Sequence, residues 1–155
     1  MSSNNQQLYE VAIGLIPGVG NYLTRQLVSH CGNPESVFKE KKGKLLKIPG
    51  IGKTIAEAIS DPDILTKAEK EIKTAEKNGV QLLFYSSKNF PERLRSLPDA
   101  PSLLYYKGNA NLNAGKIISI VGTRNSTEYG KEIIDQLGNE LKSFEDIFEY
   151  HKVLR

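Results

Sequence analysis

The sequence predicts an α-helical N-terminal half followed by the opening of an α/β half, and three observations carry that prediction. A Pro-Gly-x-Gly motif occurs twice, as Ile16-Pro17-Gly18-Val19-Gly20 and Ile48-Pro49-Gly50-Ile51-Gly52, each time between apolar stretches at helical spacing. After Gly79 the composition shifts to short apolar runs punctuated by proline. Lys116 to Val121 ("KIISIV") is then a continuous β-branched run, followed by a tight turn and an amphipathic segment, as in a Rossmann-like unit. The expected fold class is α+β or α/β. Residues 1–79 form an all-α domain of tandem helix-hairpin-helix units, and residues 80–155 form the first part of a Rossmann-like domain.

Each element has its own signal. Leu8, Val11, Ala12 and Leu15 precede the first hairpin, and Leu23 and Leu27 share a helical face after it. Leu45, Leu46 and Ile48 precede the second, with Ile55 and Ile59 after it. Asn33 as N-cap and Pro34 in the first turn start a short linking helix carrying Val37 and Phe38. Asp61 and Pro62 open a longer helix with Leu65, Ala68, Ile72 and Ala75 on one face, stopped by Gly79. Glu69 and Lys73 are spaced to pair on its wet face. Val80 to Tyr85 and Ser102 to Tyr106 read as strands, with a helical turn from Glu92 between them. Beyond "KIISIV", Asn125 and Glu128 have capping-box spacing ahead of Tyr129, Ile133, Ile134, Leu137 and Leu141.

Composition narrows the function. Over 155 residues, 39% hydrophobic and 25% charged, the chain reads as a soluble globular protein. No apolar run approaches the roughly 18–20 residues of a membrane span, and the polar start is no signal peptide, so no membrane partner and a cytoplasmic location are expected. Cys31 is the only cysteine and His30 and His151 lie far apart, so neither a disulfide nor a metal cluster is expected. The net charge of +3 is mild, but Lys39, Lys41, Lys42, Lys44, Lys47 and Lys53 gather round the second hairpin, with Glu40 as the one acid in their midst.

Gly52-Lys53-Thr54 looks like the end of a triphosphate-binding P-loop, but the glycine required five residues earlier is Lys47, and Pro49 removes an N–H donor. The repeat gives a better account. In each hairpin the glycines (Gly18 and Gly20, Gly50 and Gly52) permit positive φ and leave a bare backbone at a helix N-terminus, where unpaired N–H groups favour an anion. A DNA phosphate, contacted without regard to base, fits that chemistry. Lys53 adds charge and Thr54 a hydroxyl. Asn21 stands at the position of Lys53 in the first copy, so the first hairpin is expected to grip phosphate less strongly. A protein-docking module built on the hairpins is the alternative.

The turn Gly122-Thr123-Arg124-Asn125-Ser126 follows a strand at the place where open parallel sheets bind ligands. It lacks the G-x-G-x-x-G dinucleotide fingerprint. Arg124 offers a fork of donors to a phosphate, which Thr123 and Ser126 supplement. No nucleophile–base pair or acidic dyad stands nearby, so no catalysis and no cofactor are expected, and a nucleotide-hydrolysing Rossmann enzyme is the least favoured alternative.

Taken together, the paired hairpins, "GNPESVF", "FPERLRSLPDAPSLLYYKG" and "ISIVGTRNSTEYGK" resemble the DNA-processing protein A family (DprA/Smf) of bacterial natural transformation and recombination, from about Leu8 to Leu141. The resemblance implies a helix-hairpin-helix (SAM-like) domain and an extended Rossmann fold binding single-stranded DNA. It also implies a RecA-type recombinase as the partner loaded on that strand, and no enzymatic activity or cofactor. Arg124, with Gly122 and Thr123, matches the family's phosphate contact, and Tyr129 and Gly130 match the end of the same motif. Given an ordered α/β half, Arg124→Ala is expected to weaken binding more than Lys53→Ala. The family's sequence continues where "FEDIFEYHKVLR" stands here, so a truncated or frame-shifted product with impaired activity is expected.

Overall fold

A proline–glycine pair resists helix continuation, and in the computed structural model a helix ends at each copy of the motif. The structure describes residues 2–116 and 125–141. Helix α1 (Ser2–Gly14) leads through the first turn into α2 (Asn21–Cys31). After the linking helix α3 (Pro34–Lys39), the short α4 (Lys42–Leu45) leads through the second turn into α5 (Lys53–Ile59). The two turns have the same backbone. Gly18 has φ 81° and Gly50 φ 82°, in the left-handed region that costs other residues about 1–2 kcal/mol. In one, Val19 N–H donates to Ile16 O at 3.0 Å, and in the other Ile51 N–H donates to Ile48 O at 3.1 Å.

The repeat extends into the core. At one constant offset, Ile13 and Leu45, Ile16 and Ile48, Val19 and Ile51, Thr24 and Ala56, and Leu27 and Ile59 are all buried. Leu46 departs from the expected apolar group and lies exposed, because α4 is a single turn whose inward position is taken by Leu45. An element that is helical, not a strand, feeds the Gly52-Lys53-Thr54 turn, as the exclusion of a P-loop requires.

Helix ends follow local chemistry. Asn33 Oδ1 accepts from Ser36 N–H at 2.8 Å, with Pro34 at the first position of α3. The long helix α6 (Asp63–Lys77) opens where Asp61 Oδ1 accepts from Asp63 N–H at 3.0 Å. It closes on a Schellman motif: Gly79 has φ 66°, its N–H donates to Glu76 O, and Val80 N–H donates to Ala75 O. Of its charges, Lys67 pairs with Asp63 at 2.7 Å; Glu69 and Lys73, though suitably spaced, form no ion pair among the described residues.

The first strands form an antiparallel pair. β1 (Gln81–Phe84) runs against β2 (Leu103–Tyr106), with Gln81 opposite Tyr106 and Phe84 opposite Leu103. The helical turn α7 (Glu92–Arg95) lies in the connection. β1 packs against α6 and β2 against α1, and the buried Phe84 joins the core formed by the helices. Residues 1–108 therefore form one compact unit.

In the second unit, residues 109–155, the described helix is α8 (Glu128–Leu141). Its cap is Thr127, whose hydroxyl accepts from Gly130 N–H at 3.1 Å, rather than the expected Asn125–Glu128 box. A threonine directly before the first helical residue reaches the third N–H, which Asn125 is too far back to do. Residues 117–121 of "KIISIV" lie outside the described residues. Among the described residues no helix is long and apolar enough to cross a membrane.

Candidate nucleic-acid interface

The glycines of the hairpins fall into two kinds. A Cβ on Gly18 would lie 3.5 Å from Ile55 Cγ1, and one on Gly50 would lie 2.9 Å from Leu23 Cδ2. These first glycines serve the packing of one hairpin on the other. The second glycines, Gly20 and Gly52, have nothing within 4 Å of a Cβ and cap their helices in extended backbone without a side-chain hydrogen bond. Their open face, with exposed Lys53 and Thr54 beside Gly52, is where a ligand would approach. Helix α5 has only seven residues. Its dipole is that of about two turns, so most of the positive field there comes from lysine.

Half of the lysine run is neutralised by acids that the fold brings in. Lys39 pairs with Glu35 at 2.6 Å, Lys42 with Glu57 at 2.8 Å and Lys44 with Glu40 at 3.3 Å. Glu40 is thus not the only acid among them, since Glu35 lies one turn before Lys39 and Glu57 reaches across from α5. The Lys41 backbone N–H, with help from Lys44, holds the Glu40 carboxyl below its usual range. Lys47 and Lys53, on either side of the second turn, are exposed and form no ion pair among the described residues.

At the first hairpin the corresponding surface is used internally. Asn21 Oδ1 accepts from Ser102 N–H at 3.1 Å and from its hydroxyl at 3.3 Å, tying the start of α2 to the start of β2. One turn on, the Arg25 guanidinium donates to Arg95 O at 3.1 Å and Ala100 O at 3.4 Å, and lies 4.9 Å over the ring of Tyr85. Between α1, α2 and β2 remains a cavity of ≈ 180 Å³ lined by Val11, Leu15, Thr24, Ser102 and Tyr105 among others. The buried Thr24 hydroxyl lines it without a hydrogen-bond partner. Burial of the Tyr105 hydroxyl, with the Glu71 carboxylate that accepts from it, pushes its pKa up to about 12. In the second copy Glu57 occupies the place of Arg25 and Ala56 that of Thr24.

Cys31 is half-buried, and burial, with Glu40 nearby, pushes its thiol up, so it is a poor nucleophile. Among the described residues no group of three His, Cys, Asp or Glu side chains could hold a metal ion. Of the expected α/β-turn residues, Ser126 is exposed in the second unit, and Gly122, Thr123 and Arg124 lie outside the described residues. Tyr22, which belongs to no motif of its own, is 61% exposed beside Asn21. Position 22 was legible as the partner of Thr54 in the repeat.

Residues 81–146, from β1 through α8, match the family described as DNA recombination-mediator protein A. Over 64 residues the chain is 42% identical to DNA processing protein DprA of Bacillus subtilis (strain 168), covering 41% of this chain and 22% of that protein. Over 132 residues it is 27% identical to Protein Smf of Synechocystis sp. (strain ATCC 27184 / PCC 6803 / Kazusa), covering 83% of this chain and 33% of that one. Over these segments the chain is similar to the DprA/Smf family. The alignment with Smf is too long to lie within the α/β half alone, so the likeness reaches into the helical half and takes in the second hairpin. Against both of these DprA/Smf relatives the matched segment spans a third of their length or less.

Proposed function

We propose that the chain binds DNA through its second hairpin and serves DNA processing in recombination. The observation that carries this is a chain similar to the DprA/Smf family that presents Lys47 and Lys53, exposed and without an ion pair among the described residues, on either side of an open glycine turn. Two ammonium groups flanking the bare backbone at Gly52 suit a phosphate. Such contacts hold the sugar–phosphate chain without reading sequence. Thr54 adds a hydroxyl donor, and the first hairpin contributes less because Asn21 is engaged with Ser102.

Single-stranded DNA is the favoured substrate on this proposal, and a RecA-type recombinase the partner. Arg124, with Gly122, Thr123 and Ser126, is proposed as a second phosphate contact. The proposed division of labour assigns residues 1–79 to a helical hairpin domain and residue 80 onward to a Rossmann-like one whose first two strands pack on the helices, in a cytoplasmic protein that binds and performs no reaction of its own.

Fluorescence anisotropy of a labelled single-stranded oligonucleotide, titrated with the whole chain at low and moderate salt, tests this. Binding at low salt that weakens steeply as salt rises is expected. A folded sample that shows no binding at low salt refutes it.

A further inference from the structure

The contact between the two hairpins is reciprocal. Gly18 lies against Ile55 and Gly50 against Leu23, and these are equivalent positions of the repeat exchanged between its copies. Reciprocal contact between equivalent patches is the signature of a two-fold relation. A two-fold axis sets equivalent residues at the same height along it, on one face of the pair. Asn21 and Lys53 are such equivalents, and so are Tyr22 and Thr54; all four are exposed.

The two sides of this face differ in chemistry. Around the second turn, residues 41–59 include no aromatic side chain, so that side offers charge and backbone but no surface for a base. On the other side Tyr22 presents a ring that is 61% exposed. Its hydroxyl accepts from Gln26 Nε2 at 2.9 Å, one helical turn on, which steadies the ring against α2. The ring contacts Tyr9–Phe38 and Phe84–Tyr85 join other aromatics to the fold, and Tyr22 takes no part in them.

We propose that Tyr22 is a base-stacking platform, and that the paired hairpins form one bipartite site for a single nucleic-acid strand. Lys53 and Lys47 hold phosphate while an unpaired base lies on the Tyr22 ring. This rests on the phosphate-binding role proposed for the second hairpin and specifies the form of nucleic acid that it takes. In a duplex the base faces are already stacked on one another and closed to the ring. In a single strand every base has a free face, and stacking on an aromatic side chain is sequence-tolerant. The site therefore distinguishes single from double strands without reading bases.

The test uses the whole chain and three fluorescein-labelled ligands of equal length: a thymidine oligonucleotide, the same backbone with abasic residues, and a duplex. Tyr22→Ala is expected to weaken binding of the thymidine strand about tenfold, within the range for loss of one stacked base. It should leave the abasic strand and the duplex unchanged, and Tyr22→Phe should retain wild-type affinity throughout. Lys53→Ala should weaken all three alike. Equal loss on all three ligands with Tyr22→Ala, or no loss on any, overturns the stacking role. A null effect of Lys53→Ala beside the expected Tyr22 pattern overturns the phosphate role of that lysine and keeps the platform. Absence of binding by the wild-type chain overturns both.

Discussion

The two Pro-Gly turns have φ values within a degree at their first glycines and bury the same five positions, yet their surroundings are opposite. The helix after the first turn is tied to the segment leading into β2, with Asn21 bonded to Ser102 and Arg25 reaching Arg95 and Ala100. The second stands clear of that segment, with Lys47 and Lys53 exposed beside it. A duplicated backbone thus supports divided roles, because the core fixes the inward positions and leaves the outward ones free to differ. One copy anchors the β-hairpin to the helices, and on our proposal the other meets the nucleic acid.

Breaking the anchor should cost stability and leave DNA alone. Arg25→Ala removes two hydrogen bonds from a guanidinium and its stacking on Tyr85, and should cost about 2–3 kcal/mol in urea denaturation. Its effect on affinity for DNA, measured in the folded range, should be slight. Gly50→Ala should cost about 1–2 kcal/mol, since alanine disfavours φ 82° and its methyl would press on Leu23. Gly18→Ala meets the same backbone penalty with only an ordinary contact to Ile55, so it should cost less.

The smallest stability effect gives the sharpest contrast. Gly52→Asp places a capping carboxylate at the start of α5 and should stabilise the fold by a few tenths of a kcal/mol. The same charge sits between Lys47 and Lys53, so DNA affinity should fall while thermal stability rises. Gly20→Asp should give the stabilisation with much less loss of affinity. Equal losses for the two variants would mean that the turns share the phosphate evenly.

Much of the fold was legible because its signals are local. Asn33-Pro34, Asp61-Pro62 and Gly79 mark helix ends through bonds to backbone groups within a few residues, and they do so in the structure. What was not legible depends on partners distant in sequence. Nothing near Arg25 announces that residues 95 and 100 supply its acceptors, and nothing near Phe84 announces that it completes a helical core. The lysine run shows the same limit, since Glu57 neutralises Lys42 only once α4 and α5 are folded together. The glycines read as one class divide in the structure, two facing the opposite hairpin and two facing outward, because which side of a turn is covered depends on the second copy.

The central claim is that phosphate meets the second hairpin through Lys47 and Lys53. The slope of log affinity against log salt for a single-stranded oligonucleotide counts those contacts directly. Replacing both lysines by alanine should make the slope shallower by about 1.4, at roughly 0.7 per phosphate contact on a single strand. An unchanged slope for that double variant, in a protein that still binds, would contradict the account.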